Sequence, residues 1–348
     1  MTYVRNAWYV AAWEQDLPAD APAAMSILGE PIVLWRAGEK LVAMEDRCVH
    51  RHAPLSLGRC EGASLRCMYH GLRFDADGRC VEIPGQELIP PTARVKTYPA
   101  LAKHSWVWVW MGDPALADEA LVPPAVGYDD PDYILGHGFL DYEAEARLIN
   151  DNLLDFSHLS YVHAQSFGTG PEFAGSLPRI TPLPRGIRYE RWLEGTFGAA
   201  MRKSDVPLDS WQTYDFLIPG VLLMWSANYP PGTAKALGHS PPEKLDAIAG
   251  LNFTSQAVTP TGEGTARYFF SWGPHCKYGD EAMRDGMMAL ADRAFGEDKT
   301  MIEAQQKVIA RDPERPVMPT AHDKGVTLFN RLVQRLAAEE AEARAAAA

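Results

Sequence analysis

The segment CVHRHAPLSLGRCEGASLRCMYHG, residues 48–71, decides how the rest of the chain is read. It holds two arms of one design, Cys48-Val49-His50 and Cys67-Met68-Tyr69-His70, each with one thiol and one imidazole a short step apart. Sixteen residues separate His50 from Cys67. Both arms lie in turn-like stretches between short apolar runs, so neither pair shares a helix face. Brought together, the two loops make a site of two thiolates and two imidazoles. A finger-type zinc site pairs like ligands, Cys with Cys and then His with His, whereas every arm here is mixed. A two-iron, two-sulfur cluster suits the pattern better. Two cysteines hold one iron and two neutral histidines the other, raising the potential above that of an all-thiolate cluster. A structural zinc knuckle, or unrelated buried Cys and His, are the competing readings. Gly71 lets the backbone pass close to a metal, and Tyr69 is placed to hydrogen-bond a sulfur. His52 reads as a loop histidine. Cys60 and Cys80 have no histidine at a matching offset and read as ordinary thiols.

The flanks are short strands with tight turns. PIVLW and KLVAME border Ala37-Gly38-Glu39, and LRF and RCVEI border Asp75-Ala76-Asp77-Gly78, two hairpin signals. Ser105 to Trp110 reads SWVWVW, apolar on both faces, and predicts a strand buried on both sides. Residues 30–111 therefore predict a small antiparallel β domain. The Pro-, Ala- and acid-rich stretch 111–126 reads as a linker or a short ordered crossover. Beyond it, 144–159 predicts a helix, and segments near 186–202, 211–229, 250–259 and 264–272 predict strands. Residues 281–311 predict a helix broken or bent near Gly296, and 325–348 a further helix that frays at its end. The expectation is an α+β protein: a β domain over 1–120 and a mixed domain over 121–348, its sheet flanked by grouped helices.

With 348 residues, 47 % of them apolar, the chain can build sizeable cores. A net charge of -12 argues against nucleic acid and anionic membranes as partners. No run approaches the ~18 apolar residues of a membrane span. The opening MTYVRNAWYV lacks an apolar run followed by a cleavage site, and five unevenly placed cysteines make no disulfide framework. A cytoplasmic location is expected.

A second constellation occupies 150–163. Asn152, Asp155 and His158 are spaced by three, which on a helix makes one polar stripe between apolar flanks. Such a stripe is costly unless something binds it. His163 follows five residues after His158, about 140° off the same helical face, so a helix that aims both at one metal must end or bulge between them. Two histidines and a carboxylate form the ligand set of non-haem iron(II). For the acid, Asp155 is near in sequence. Asp298, placed after a glycine where the run KTMIEAQQKVI opens, competes with Asp292, Glu297 and Glu303. Packing at a helix end is the alternative account of the two histidines.

These features together resemble the oxygenase component of Rieske non-haem iron aromatic oxygenases, in the vanillate and dicamba O-demethylase group. The likeness rests on Val4 to Ala12 (VRNAWYVAA), the paired Cys/His arms, Gly112 to Asp118 (GDPALAD), Asp151 to Asp155 (DNLLD) with His158 and His163, and Glu297-Asp298-Lys299. It implies a helix-grip catalytic domain and a [2Fe-2S] cluster on Cys48, His50, Cys67 and His70. It implies a mononuclear Fe(II) on His158, His163 and Asp298, with Asn152 close by. It also implies a homotrimer in which Asp155 bridges between subunits, hydrogen-bonded to His158 and to a neighbour's His70. Electrons would come from NAD(P)H through a reductase, with or without a ferredoxin, and the reactants would be O2 and a small aromatic substrate. Pocket candidates are Trp211, Tyr214, Gln256 and Ala289. The last two fall where the dicamba demethylase looks to place a carboxylate-holding His and Trp, and Ala289 suggests room for a bulkier ring. The segment 238–244 reads as a lid or an irregular loop. The expected reaction is O-demethylation of a methoxylated aromatic acid to a phenol and formaldehyde. Ring or angular dioxygenation, for example of a diaryl ether, a Rieske electron-transfer protein without oxygenase activity, and a zinc-dependent interaction module are the alternatives.

Overall fold

Strand Trp106–Trp110 has no polar face and is buried at every position. It is accordingly the middle of a three-stranded antiparallel sheet, between Trp8–Trp13 and Ala100–Lys103. Indole rings from neighbouring strands meet edge to face or tilted, Trp8 with Trp110 at 5.4 Å and Trp13 with Trp106 at 5.0 Å. Pairs of this kind add roughly 0.5–1.5 kcal/mol each beyond the area they bury. Two further sheets complete this part of the computed structural model, which describes residues 2–168, 170–197 and 204–347. In one, Glu30–Ala37 and Lys40–Glu45 form the expected hairpin, turned at Gly38 with φ 65°. In the other, Arg59–Glu61, Ser64–Arg66, Arg73–Asp75 and Cys80–Glu82 run as a meander. The first Cys/His arm follows Lys40–Glu45, and the second joins Ser64–Arg66 to Arg73–Asp75. The stretch 111–126 is an ordered crossover, since Asp113 and Asp118 cap the turns Pro114–Leu116 and Glu119–Leu121. The compact unit so formed is Arg5–Val122 with Thr259–Glu263.

The second unit comprises Met1–Val4, Pro123–Val258 and Gly264–Ala348. Among the described residues its strands form one antiparallel sheet of seven, in the order Gly136–Tyr142, Thr265–Pro274, Ala249–Gly262, Val221–Tyr229, Leu208–Leu217, Gly186–Thr196, Arg179–Leu183. Helix Glu281–Ile309 lies on one face, with Phe295 against Phe270 at 4.8 Å and Tyr268 at 5.2 Å. Gly136 permits this approach, because a Cβ there would come within 2.4 Å of the Met288 side chain. Helix Lys324–Ala347 joins the same face through Phe329 and Phe216, rings 4.8 Å apart. The α+β class is as expected.

Several local expectations change. The run 211–229 is two strands, because the chain reverses at Ile218–Pro219, a cis bond, and Gly220. Gly136–Tyr142 and Arg179–Leu183 were not foreseen as strands; their glycines and polar residues suit sheet edges, which composition alone marks poorly. Positions 198–202 of the expected 186–202 strand lie outside the described residues. The helix does not break at Gly296. A glycine costs a helix only about 1 kcal/mol, less than the burial of Met287, Phe295 and Ile302 on one face gains. Asp298 therefore sits in mid-helix rather than opening one. The polar stripe of Asn152, Asp155 and His158 is not helical either, since the α-helix Ala146–Leu153 ends before Asp155, which caps a 3-10 turn, Phe156–Ser160.

In the first unit Glu30 gathers Arg5, Lys96 at 2.7 Å and the Tyr98 hydroxyl at 2.6 Å. Burial works to raise its pKa, but these three donors together bring it down to about 2. A depressed carboxylate stabilises the fold above its unfolded pKa and loses that contribution as pH falls through the folded value. Glu30→Gln is thus expected to cost about 1 kcal/mol at neutral pH, the partial exposure of the site keeping the figure low. In urea unfolding the gap between variant and parent should close as pH drops from about 5 toward 2.

Candidate functional site

The two Cys/His loops share a backbone design. In each, the residue four past the cysteine donates its N–H to the cysteine carbonyl, His52 to Cys48 and Gly71 to Cys67, both at 2.9 Å. Both residues are left-handed, with φ 58° and 78°. The loops curl alike and bring both thiols inward, where Cys48 and Cys67 are buried, while His50 and His70 stay exposed with their rings 4.5 Å apart. Burial pushes the Cys48 thiol up to about 11, against the opposing pull of the His50 and Arg51 backbone N–H groups and with the Cys67 sulfur adding to the rise. A soft buried pair beside a paired imidazole edge fits a cluster with one thiolate-bound and one imidazole-bound iron. His52 forms the turn and lies against Arg47 at 3.2 Å. Gly71 is needed for its φ and because Pro84 crosses it, 2.8 Å from where a Cβ would stand. Tyr69 does not face the thiols: it is exposed and packs on His70, ring to ring at 4.0 Å. Cys80 is an ordinary thiol, donating to the Glu82 carbonyl at 3.3 Å.

In the second unit, one ligand atom each from His158, His163 and Asp298 lie within 4.8 Å of one another. His163 Nε2 is 3.1 Å from one Asp298 oxygen and His158 Nε2 is 3.5 Å from the other. Each opposite ring nitrogen already has an acceptor. His158 Nδ1 donates to the Asp155 carbonyl at 2.6 Å, and His163 Nδ1 to Glu297 at 2.9 Å. That arrangement selects the tautomer whose Nε2 lone pair is free for a metal. Asn152 donates to Asp298 at 3.1 Å, and Ser166 steadies Glu297 at 2.7 Å. Burial holds His158 below the usual histidine range. At His163 burial works downward too, but Asp298 and Glu297 outweigh it and raise the value. Two neutral-capable imidazoles and a carboxylate on one point are the donor set of non-haem iron(II).

Asp155 departs from expectation in one respect. Its backbone carbonyl, not its carboxylate, holds His158, while the carboxylate caps the Ser157 N–H at 2.8 Å and faces His322 at 4.0 Å. Glu297, foreseen only as a rival ligand, is instead the acceptor that orients His163. The signal was the Glu297-Asp298 pair itself, since adjacent helical residues diverge by about 100° and can flank one ring.

The pocket candidates divide by sheet pleat. Tyr214 lies on the helix-covered face, stacked on Tyr189 at 4.4 Å and against Phe156 at 4.8 Å. Trp211, three residues away, points to the other face and packs with Trp192, Trp225 and Tyr229. The segment 238–244 covers that same far face, with Trp192 donating to the Ser240 carbonyl at 3.1 Å, so it is no lid over the histidines. Gln256 is buried on the helix side, its Nε2 on Thr254 at 3.1 Å. Ala289 is exposed on the helix, half a turn from buried Met287 and Ala291, and makes no wall into which a bulkier ring would fit.

Residues 7–99 match the Rieske [2Fe-2S] domain, and residues 142–339 match the vanillate O-demethylase oxygenase C-terminal domain. The chain is 38% identical over 344 residues to the iron-sulfur subunit of the toluene-4-sulfonate monooxygenase system of Comamonas testosteroni, covering 96% of this chain and 97% of that one. It is 32% identical to the vanillate O-demethylase oxygenase subunit of a Pseudomonas species, covering 92% of this chain and 98% of the relative. Among solved structures it is similar to dicamba monooxygenase bound to dicamba, with a TM-score of 0.85, 29% identity, and coverage of 98% of this chain and 100% of that chain. The chain belongs to the Rieske non-haem iron oxygenases, as an oxygenase component that carries a Rieske [2Fe-2S] cluster and a mononuclear iron. No helix of the described residues is long and apolar enough to cross a membrane.

Removing the orienting acceptor should loosen the lone iron without touching the cluster. Glu297→Ala is expected to weaken retention of the mononuclear iron about tenfold. Iron analysis after graded chelation, with cluster absorbance as the internal standard, checks this.

Proposed function

We propose that this oxygenase demethylates a methoxylated aromatic acid, releasing a phenol and formaldehyde. The observation that carries the reading is the convergence of His158, His163 and Asp298 in a chain that also presents two buried thiols beside two exposed imidazoles. Vanillate and dicamba demethylating relatives support the choice of reaction. In this reading His158, His163 and Asp298 hold the lone iron, and Cys48, Cys67, His50 and His70 hold the cluster. When bound, the cluster relays single electrons and the lone iron activates oxygen.

The protein's own part is positioning. Asn152 pins one Asp298 oxygen, and the acceptors on Nδ1 keep both histidine rings turned inward. Phe167, 5.1 Å from the His163 ring and 6.2 Å from Trp272, gives an aromatic wall against which an aryl group can lie. In the net reaction one oxygen atom joins the methyl carbon and the other leaves as water, with two electrons and two protons consumed. The resulting hemiacetal then collapses, its hydroxyl proton lost and the aryl oxygen leaving as the phenol. Electrons reach the chain from NAD(P)H through a reductase, with or without a ferredoxin. In this reading the working assembly is a homotrimer in which the half-buried Asp155 carboxylate meets His70 of the next copy.

Holoprotein with a surrogate reductase and a series of methoxybenzoates should yield formaldehyde and phenol in equal amounts. Under labelled O2 the phenol oxygen should remain unlabelled. Two labelled hydroxyls on adjacent ring carbons would establish ring dioxygenation instead. Asp155→Ala is expected to keep both metal centres, by iron and sulfide analysis, while turnover falls at least about tenfold.

A further inference from the structure

The helix-covered face of the sheet carries one row of side chains that is neither core nor catalytic. Register pairs Arg191 with Gln212, Gln212 with Ser226, and Ser226 with Asn252. The row continues to Trp272, whose indole N–H donates to Asn252 Oδ1 at 2.9 Å. Directly paired residues share a face. That face is the one bearing the histidines, because Phe270, two residues from Trp272, packs on Phe295, and Tyr214, two residues from Gln212, packs on Phe156. Trp272 also meets Phe167, which meets His163. The row thus begins beside the metal-binding turn and runs across five strands.

Its exposure is anomalous. In the adjoining row Tyr189, Tyr214, Thr254 and Phe270 are buried and Met224 alone is half-buried, whereas all five members of this row are only half-buried. A polar row in mid-sheet under helices is costly unless it meets water or a ligand. Its hydrogen bonds leave donors over. Asn252 spends its amide on Ser226 Oγ at 2.9 Å and the Gly250 carbonyl at 2.7 Å, so the Ser226 hydroxyl, already an acceptor, has its own proton to give. Among the described residues the Gln212 side chain has no hydrogen bond and Arg191 no ion pair. Arg191 instead lies over the Phe173 ring at 4.4 Å and donates to the Phe173 carbonyl at 3.3 Å. Asp155 lines the same cavity and acts on Arg191 through space, but its carboxylate caps Ser157 and forms no ion pair with the guanidinium. The row carries one positive charge and no negative one.

We infer that this row is the specificity element that receives the acidic head of the aromatic substrate, a carboxylate or sulfonate held by Ser226 and Gln212 in the field of Arg191. The inference rests on the oxygenase reading of the site and assigns the head group to a place about 14 Å along the strand from Gln256. The aryl body then spans from this row toward Phe167 and the histidines.

The test is binding, not turnover. Holoprotein is titrated with 3-methoxybenzoate, 3-methoxybenzenesulfonate and the neutral 3-methoxybenzamide, followed by calorimetry. The acids should bind at least about tenfold more tightly than the amide. Gln212→Glu, which puts a negative charge into the row without changing its shape, should lower the acid-to-amide affinity ratio at least about tenfold. Ser226→Ala should lower it about three- to tenfold. The two acids separate carboxylate from sulfonate as the preferred head. Acids that bind no better than the amide, or variants with an unaltered ratio, overturn the inference. Should wild type bind the acids with this ratio yet release no formaldehyde from any methoxyarene, the row keeps its role and the demethylation reading falls.

Discussion

Two imidazoles aimed at one carboxylate are the constraint on which the second unit depends. His158 and His163 reach Asp298 from a turn, and Asp298 reaches them from the middle of a 29-residue helix. Neither element would hold this geometry alone. The Asp155 carbonyl and Glu297 lock the rings from behind, and Asn152 locks the carboxylate from the side. A cation is the natural partner of such an arrangement, because the three groups offer electron pairs to one point.

The first unit solves a different problem, keeping a redox group both insulated and reachable. Its two loops repeat one backbone turn, so symmetry of hydrogen bonding places both thiols inside and both imidazoles outside. The imidazole edge is then at the surface, where an electron partner can approach, while the two thiols are shielded by Leu55, Leu65 and Phe74. The tryptophan-filled sheet around Trp106–Trp110 gives the unit a fully buried core built from side chains other than the Cys/His arms.

The seven-stranded sheet acts as a partition. Its pleat sends Trp211, Trp192 and Trp225 to one side, where 238–244 covers them, and Tyr214, Asn252 and Trp272 to the other, beneath the helices. A single residue of register separates packing from recognition. That is why a tryptophan and a tyrosine three positions apart have unrelated roles.

Local chemistry was legible in the amino-acid order: the mixed Cys/His arms, the doubly apolar strand at Trp106–Trp110, the hairpin at Gly38, the two histidines at 158 and 163. Each depends on residues close together in the chain or on a period that burial imposes. What required the folded chain was everything set by distant partners. That Glu297 serves His163 while Asp298 meets both rings follows from the rotation of one helix. That Gly296 leaves this helix unbroken follows from the burial of its other face, and that Asp155 holds His158 through its carbonyl follows from where the preceding helix ends. A sequence states which donors and acceptors exist, whereas only packing across more than a hundred residues decides which of them meet.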